Sequence, residues 1–215
     1  MSTPGSAVPA AVAADADLTL VLPGRTRPAG DGVKWIGDGW PLFTKAPLMW
    51  ILSLIIMVVI AVILGFIPIL GQIVFQLVTP VFYAGLVVAC RSLERGGDFE
   101  LEQLFAGFKT QFVNLVVVGV IFLVGQLLLL LVFLFFVGFG VLGAMLAGNI
   151  DNMVAALAGS LVAFLLGALV VLGLLVPLLA AFWFAPALVI MHGVAPVEAM
   201  KASFGACLDP RTGTL

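Results

Sequence analysis

LMWILSLIIMVVIAVILGFI, residues 48–67, decides the fold: twenty consecutive residues without a charge. A hydrocarbon core about 30 Å thick takes about 20 helical residues to cross, so the stretch reads as a membrane span. Pro68 and Gly71 end it and turn the chain straight back into a second apolar stretch, about residues 69–90. Pro80 lies inside that stretch and predicts a kink, because proline removes a helical hydrogen bond. Gln72 and Gln76 fall one turn apart near its outer end. Gln72 is expected at the interface, and Gln76 deeper, facing another helix.

Two longer apolar stretches follow, Phe112 to about Ala147 and Val154 to about His192. As a single helix, either would exceed roughly 50 Å at 1.5 Å per residue. No charge or turn chemistry divides either near its middle, and two crossings apiece need more residues than are present. Each is therefore read as one span, about 112–137 and about 154–176, with helical extensions to about 147 and about 192. Long, tilted or broken helices fit these lengths, with Gly138, Gly140 and Gly143 offering a break in the third stretch and Pro177 and Pro186 offering breaks in the fourth. Phe182, Trp183 and Phe184 are expected as interfacial anchors. The polar turn GNID at 148–151 joins the two stretches.

Composition agrees with a chain dissolved in lipid. Of 215 residues, 63% are apolar and 9% charged, whereas a soluble domain carries about 25% charged residues. The net charge of -2 offers no basic face for nucleic acid. Two cysteines and one histidine make no convincing zinc site, and no cofactor is expected. Residues 1–32, rich in Ala, Pro, Gly and Ser, read as a disordered cytoplasmic tail without a cleaved signal peptide. Residues 209–215 read as a second disordered tail.

The nine Lys and Arg residues avoid all four spans. Arg25, Arg27, Lys34 and Lys45 precede the first span. Arg91, Arg95 and Lys109 lie between the second and third, and Lys201 and Arg211 follow the fourth. Cytoplasmic loops retain such residues, so both termini and the 91–111 loop are predicted on the cytoplasmic side. Cys90 and Cys207 border that side and are expected to be reduced.

Within the loop, Gly96 and Gly97 stop the preceding helix and Asp98 is the expected N-cap of a new one. Leu101, Leu104, Phe105 and Phe108 then recur at helical spacing, with Glu100, Glu102, Gln103 and Lys109 between them. That pattern predicts an amphipathic helix lying in the interface. Similar segments precede the first span and follow the fourth, the latter over about Pro196 to Leu208. GGDFELEQLFAGF at 96–108 aligns without a gap with HGVAPVEAMKASF at 192–204, pairing Leu104 with Met200 and Gly107 with Ser203. The two segments read as an internal repeat: a polar lead-in helix ahead of a membrane hairpin.

Three strings, VKWIGDGWPLFTKAPLMWI, AGLVVACRSLERGGDFELEQLFAGFK and FWFAPALVIMHGVAPVEAMKASFGACL, resemble a family of multi-pass inner-membrane proteins of Gram-negative bacteria. More distantly they are similar to the membrane domains of some glycerophosphodiester phosphodiesterases. The resemblance covers most of residues 33–208 and implies a helical domain in the bacterial inner membrane, with no activity or catalytic residue to carry over. Members of that family continue into further spans, so the tail DPRTGTL leads to the expectation of a shortened six-span protein.

The span interiors hold no ionisable residue, where enzymes and ion carriers of the membrane place costly ones. A non-enzymatic role in packing is therefore expected, with a transporter or lipid-handling protein as the alternative. The candidate packing residues are Gln76 and Gln126, which can hydrogen-bond across helices, and Ala155, Gly159, Ala163 and Gly167, spaced by four. Their partner is expected in this chain, in a second copy or in another membrane protein, besides the lipid bilayer itself. His192 reads as an interfacial histidine at a helix C-terminus, where a cation would meet the helix dipole favourably. No phosphate loop, Ser-His-Asp set or HExxH motif occurs.

Overall fold

The computed structural model describes residues 31–146 and 153–208. Among them every regular element is helical, and four helices are long and apolar enough to cross a membrane. Over its described residues the chain is thus an all-α membrane protein with four spans and short helices beside them. Its described residues fall into two compact units, one within Met1–Val120 and Ala181–Leu215, the other within Ile121–Ala180.

The first unit is built around α3 (Leu70–Glu94). α2 (Pro47–Gly65) forms a hairpin with it through Phe66–Ile69. A Cβ on Gly71 would stand 1.8 Å from the Leu64 carbonyl oxygen, so glycine is what lets the returning backbone touch the outgoing one. Ile69 turns with φ 64° and ψ -60°, and the Leu70 amide reaches the Pro68 carbonyl at 2.6 Å. That is a γ-turn at a β-branched residue, a strain of about 1–3 kcal/mol that a connection this short imposes. Pro80 is tolerated within α3, where Thr79 Oγ1 donates to the Phe75 carbonyl one turn back at 2.7 Å.

The loop after α3 does not carry the single amphipathic helix that its periodicity predicts. It forms α4 (Leu101–Leu104) and α5 (Ala106–Thr110), split at Phe105. Glu100, not Asp98, is the N-cap residue, and its amide is met by Gln103 Oε1 at 3.3 Å. Asp98 serves through its main chain, its carbonyl accepting from Ser92 Oγ at 2.9 Å and Gln103 Nε2 at 3.2 Å. The elbow is folded against α3: a Cβ on Gly85 would lie 2.1 Å from the Leu104 carbonyl oxygen, and one on Gly107 2.6 Å from that of Val81. Glycines at both contacts let main chain approach main chain, the usual device of close helix packing in lipid. Leu104, Ala106 and Gly107 are buried there, while Phe105 and Phe108 stay partly exposed with their rings edge-on to Phe82.

α1 (Asp31–Lys45) meets the C-terminal end of α3. Leu42, Ala46, Met49, Trp50 and Leu86 pack against the buried Ala89, Leu93 and Phe99. The first turns of α6 (Phe112–Leu146) complete the α3 contact, with Gly119 against Leu77. α8 (Ala185–His192) packs on α3, and α9 (Pro196–Leu208) packs on α8.

The second unit is a hairpin of α6 and α7 (Met153–Trp183). Gly125 faces Leu178, Gly167 faces Phe136, and Gly140 faces Ser160 and Ala163. One number rises as the other falls, which makes the pair antiparallel. α6 runs unbroken past Gly138, Gly140 and Gly143, so of the long, tilted or broken forms expected it is a long helix without the break those glycines offer. Its 35 residues reach about 52 Å at 1.5 Å per residue. α7 likewise passes through Pro177, and the break falls at Phe184, ahead of Pro186. A proline in the first turn of a new helix loses no bond, so Pro186 starts α8 comfortably.

The expected tails at 1–32 and 209–215 and the GNID turn lie outside the described residues, except that Asp31 and Gly32 already belong to α1.

Candidate functional site

The polar residues inside the spans, and the buried Ser203 on α9 beside them, divide by whether they have found a partner. Ser160, the lone hydroxyl of the fourth apolar stretch, donates to the Gly140 carbonyl across the hairpin at 3.0 Å. Ser203, fully buried, accepts the Phe184 amide at 3.0 Å, meeting the N–H that the α7–α8 break leaves over. Ser53 on α2 is 1% exposed, and its hydroxyl has no partner among the described residues. Gln76 and Gln126 are half-buried, and neither side-chain amide makes a hydrogen bond among the described residues.

The small-residue series divides as well. Gly167 and Ala163 face α6, at Phe136 and Gly140, whereas Gly159 is exposed with nothing near a Cβ built on it. The side chain of Ala155 lies outside the described residues. At 3.6 residues per turn, a strict spacing of four drifts about 40° per step, so such a series winds off any straight seam. The seam observed is Ser160, Ala163 and Gly167, at spacings of three and four, as two antiparallel helices require. Across it lie Gly140, Phe136 and Phe133, and the Phe133 ring meets Phe164 edge-on at 5.4 Å.

The densest polar network surrounds the end of α3 that carries Arg91, Glu94 and Arg95. Lys45 Nζ donates to the Leu93 carbonyl at 3.0 Å, placing a cation on the negative end of the α3 dipole and fastening α1 to it. Trp50 Nε1 donates to the Leu42 carbonyl at 3.2 Å, and its ring meets Phe99 edge-on at 4.9 Å. Arg91 pairs with Glu94 at 2.9 Å. Lys109 pairs with Glu102 across the elbow, and this hydrogen bond and charge hold the Glu102 carboxyl below its ordinary value. On α9, Lys201 pairs with Glu198 at 2.9 Å, and partial burial raises the Cys207 thiol. His192 is exposed in the last turn of α8, ahead of Gly193 with φ 62°. Beside that turn, Asn114 Nδ2 donates to Gln111 Oε1 at 2.7 Å. Among the described residues, no three His, Cys, Asp or Glu side chains gather where a metal ion would sit.

Lys45, Ser160 and Ser203 are the functional positions that reading the sequence missed. Ser160 carried a signal as the lone hydroxyl of its stretch, and Ser203 as the partner of Gly107 in the repeat alignment. Lys45 carried none, because Leu93 lies 48 residues away. Compared with protein-family models, curated proteins and solved structures, the chain matches none.

Proposed function

We propose that this chain is a non-enzymatic, multi-pass protein of the bacterial inner membrane that acts through helix packing and its cytoplasmic face, as a scaffold, accessory subunit or envelope factor. One observation carries the reading. At the Arg91–Lys109 end, Lys45, Trp50, Ser92, Gln103 and Lys109 all direct their side chains to this chain's own carbonyls or carboxylates. Polar groups that an active site would turn toward a substrate are here employed in fastening α1 and the elbow to α3. The gathering of Lys and Arg at that end supports a cytoplasmic location for it. The repeat reading is supported by local geometry. Each polar return buries a small residue at the same aligned position, Gly107 or Ser203, and each opens near a glycine with positive φ, Gly96 at 79° and Gly193 at 62°, one position apart in the alignment.

The unpaired amides of Gln76 and Gln126 favour one second reading, a lipid-handling protein or transporter with a polar path. Reconstitution separates the two. The purified chain in liposomes is expected neither to hydrolyse phospholipid nor to move a fluorescent phospholipid between leaflets. Lipid movement that Gln126→Leu abolishes while the protein still folds would replace the scaffold with the lipid handler. Hydrolysis lost on substitution of one polar residue would make the chain an enzyme.

A further inference from the structure

Four uncharged polar side chains of α3, Gln72, Gln76, Thr79 and Tyr83, succeed one another at spacings of four, three and four. That alternation keeps them on one stripe of the helix. The buried Val81, Gly85 and Val88, which receive the elbow and form the core, lie about half a turn round from it. Gln72 and Tyr83 are exposed, and Gln76 and Thr79 half-buried. Thr79 is bonded to its own helix, but the side chains of Gln72, Gln76 and Tyr83 make no hydrogen bond among the described residues. The Tyr83 ring touches Phe182 edge-on at 6.4 Å, which leaves its hydroxyl unengaged. Pro80 has no N–H to give the Gln76 carbonyl, so the middle of the stripe holds both an unpaired amide and a carbonyl deprived of its ordinary donor.

Lipid tails cannot meet Gln76 or Tyr83, and each unmet group is costly at that depth, while Gln72 carries the stripe on to the interface. We propose that the Gln72–Gln76–Tyr83 stripe is the seam by which two copies of this chain associate in the membrane. An amide and a phenol each donate and accept, so the stripe is complementary to itself. Two copies inserted the same way, related by a two-fold axis along the membrane normal, bring Gln76 to Gln76 and Tyr83 to Tyr83 at equal depth. The stripe carries no charge, so it asks for no opposite charge from a different partner. Cys90 lies seven residues beyond Tyr83, in the same register, and is half-buried.

Cys90 provides the reporter without disturbing the fold. In membranes of a Cys207→Ser variant, mild oxidation is expected to give a disulfide dimer through Cys90. In a background with both cysteines replaced by serine, Gln76→Cys is expected to give a dimer, and Val59→Cys, on the exposed side of α2, is not. Gln76→Leu is expected to lower the association constant in diluted bilayers about threefold or more. The proposal falls if Val59→Cys cross-links as readily as Gln76→Cys, or if neither Cys90 nor Gln76→Cys cross-links. It falls equally if a water-soluble maleimide labels Gln76→Cys, because the stripe would then line a water path. The seam stands apart from the non-enzymatic role, which is read from the other end of α3 and tested by turnover.

Discussion

Ser53 and Ser160 are both lone hydroxyls of long apolar stretches, yet one is orphaned and the other bridges two helices. An orphaned buried hydroxyl costs its desolvation without return. Ser53→Ala is therefore expected to leave stability unchanged or raise it by up to about 1 kcal/mol. Ser160→Ala gives up the bond to the Gly140 carbonyl and is expected to lose about 1 kcal/mol. Unfolding of the two variants side by side in bicelles measures the contrast, and equal losses would contradict it. Neither outcome was legible in the sequence, because the partner of Ser160 lies 20 residues away across the hairpin. The same holds for the spacing-by-four series. Small size marks Gly159 as strongly as Gly167, and the helical drift that takes Gly159 off the seam shows only once the two helices are paired.

Among the elements, the α4–α5 elbow departs furthest from its sequence pattern. Periodicity selects the large residues Leu101, Leu104, Phe105 and Phe108, which predict a surface helix. The contacts that dock it are made by main chain at Gly85 and Gly107, and glycine leaves no hydrophobic signature. Gly85→Ala brings a Cβ against the Leu104 carbonyl, where only a backbone shift gives room. It is expected to destabilise the elbow by about 1–3 kcal/mol, read as faster amide exchange over residues 101–110. The Glu102–Lys109 pair adds a pH dependence of definite sign. The carboxyl titrates lower in the folded chain than in the unfolded one, because Lys109 donates to it and opposes its charge. Its contribution is therefore complete above the ordinary carboxylate value and is lost as pH falls through the lower folded value. Glu102→Gln is expected to speed exchange over the elbow at pH near 7, and to match the parent protein in acid below that folded value. A difference that persists in acid would show that the pair does not hold the elbow.

For the molecule as a whole, length and charge are enough to read the spans. About twenty uncharged residues suffice for each crossing, and the turn at Pro68–Gly71 is short enough to force a hairpin. The extents of α6 and α7 were legible for the same reason. The break at Pro186 was legible too, since it falls just ahead of that proline, but Gly138 and Pro177 gave none, because helices tolerate them wherever neighbouring backbone is satisfied. Of the proposed stripe on α3, the sequence showed Gln72 and Gln76 as polar residues one turn apart. Thr79 and Tyr83 join them once α3 shows which of its faces is already filled.

Four crossings underlie every step from the hairpin at Ile69 to the network around Leu93. They require the 94–100 loop and the turn after His192 to share one side of the membrane, with Pro68 on the other. Labelling of single cysteines by an impermeant maleimide, in a background lacking Cys90 and Cys207, measures this directly. Arg95→Cys and Ala195→Cys are expected to react from the same side, and Pro68→Cys from the opposite one. Reaction of Arg95→Cys and Ala195→Cys from opposite sides, or of Pro68→Cys from the side that labels Arg95→Cys, would contradict the four-span architecture.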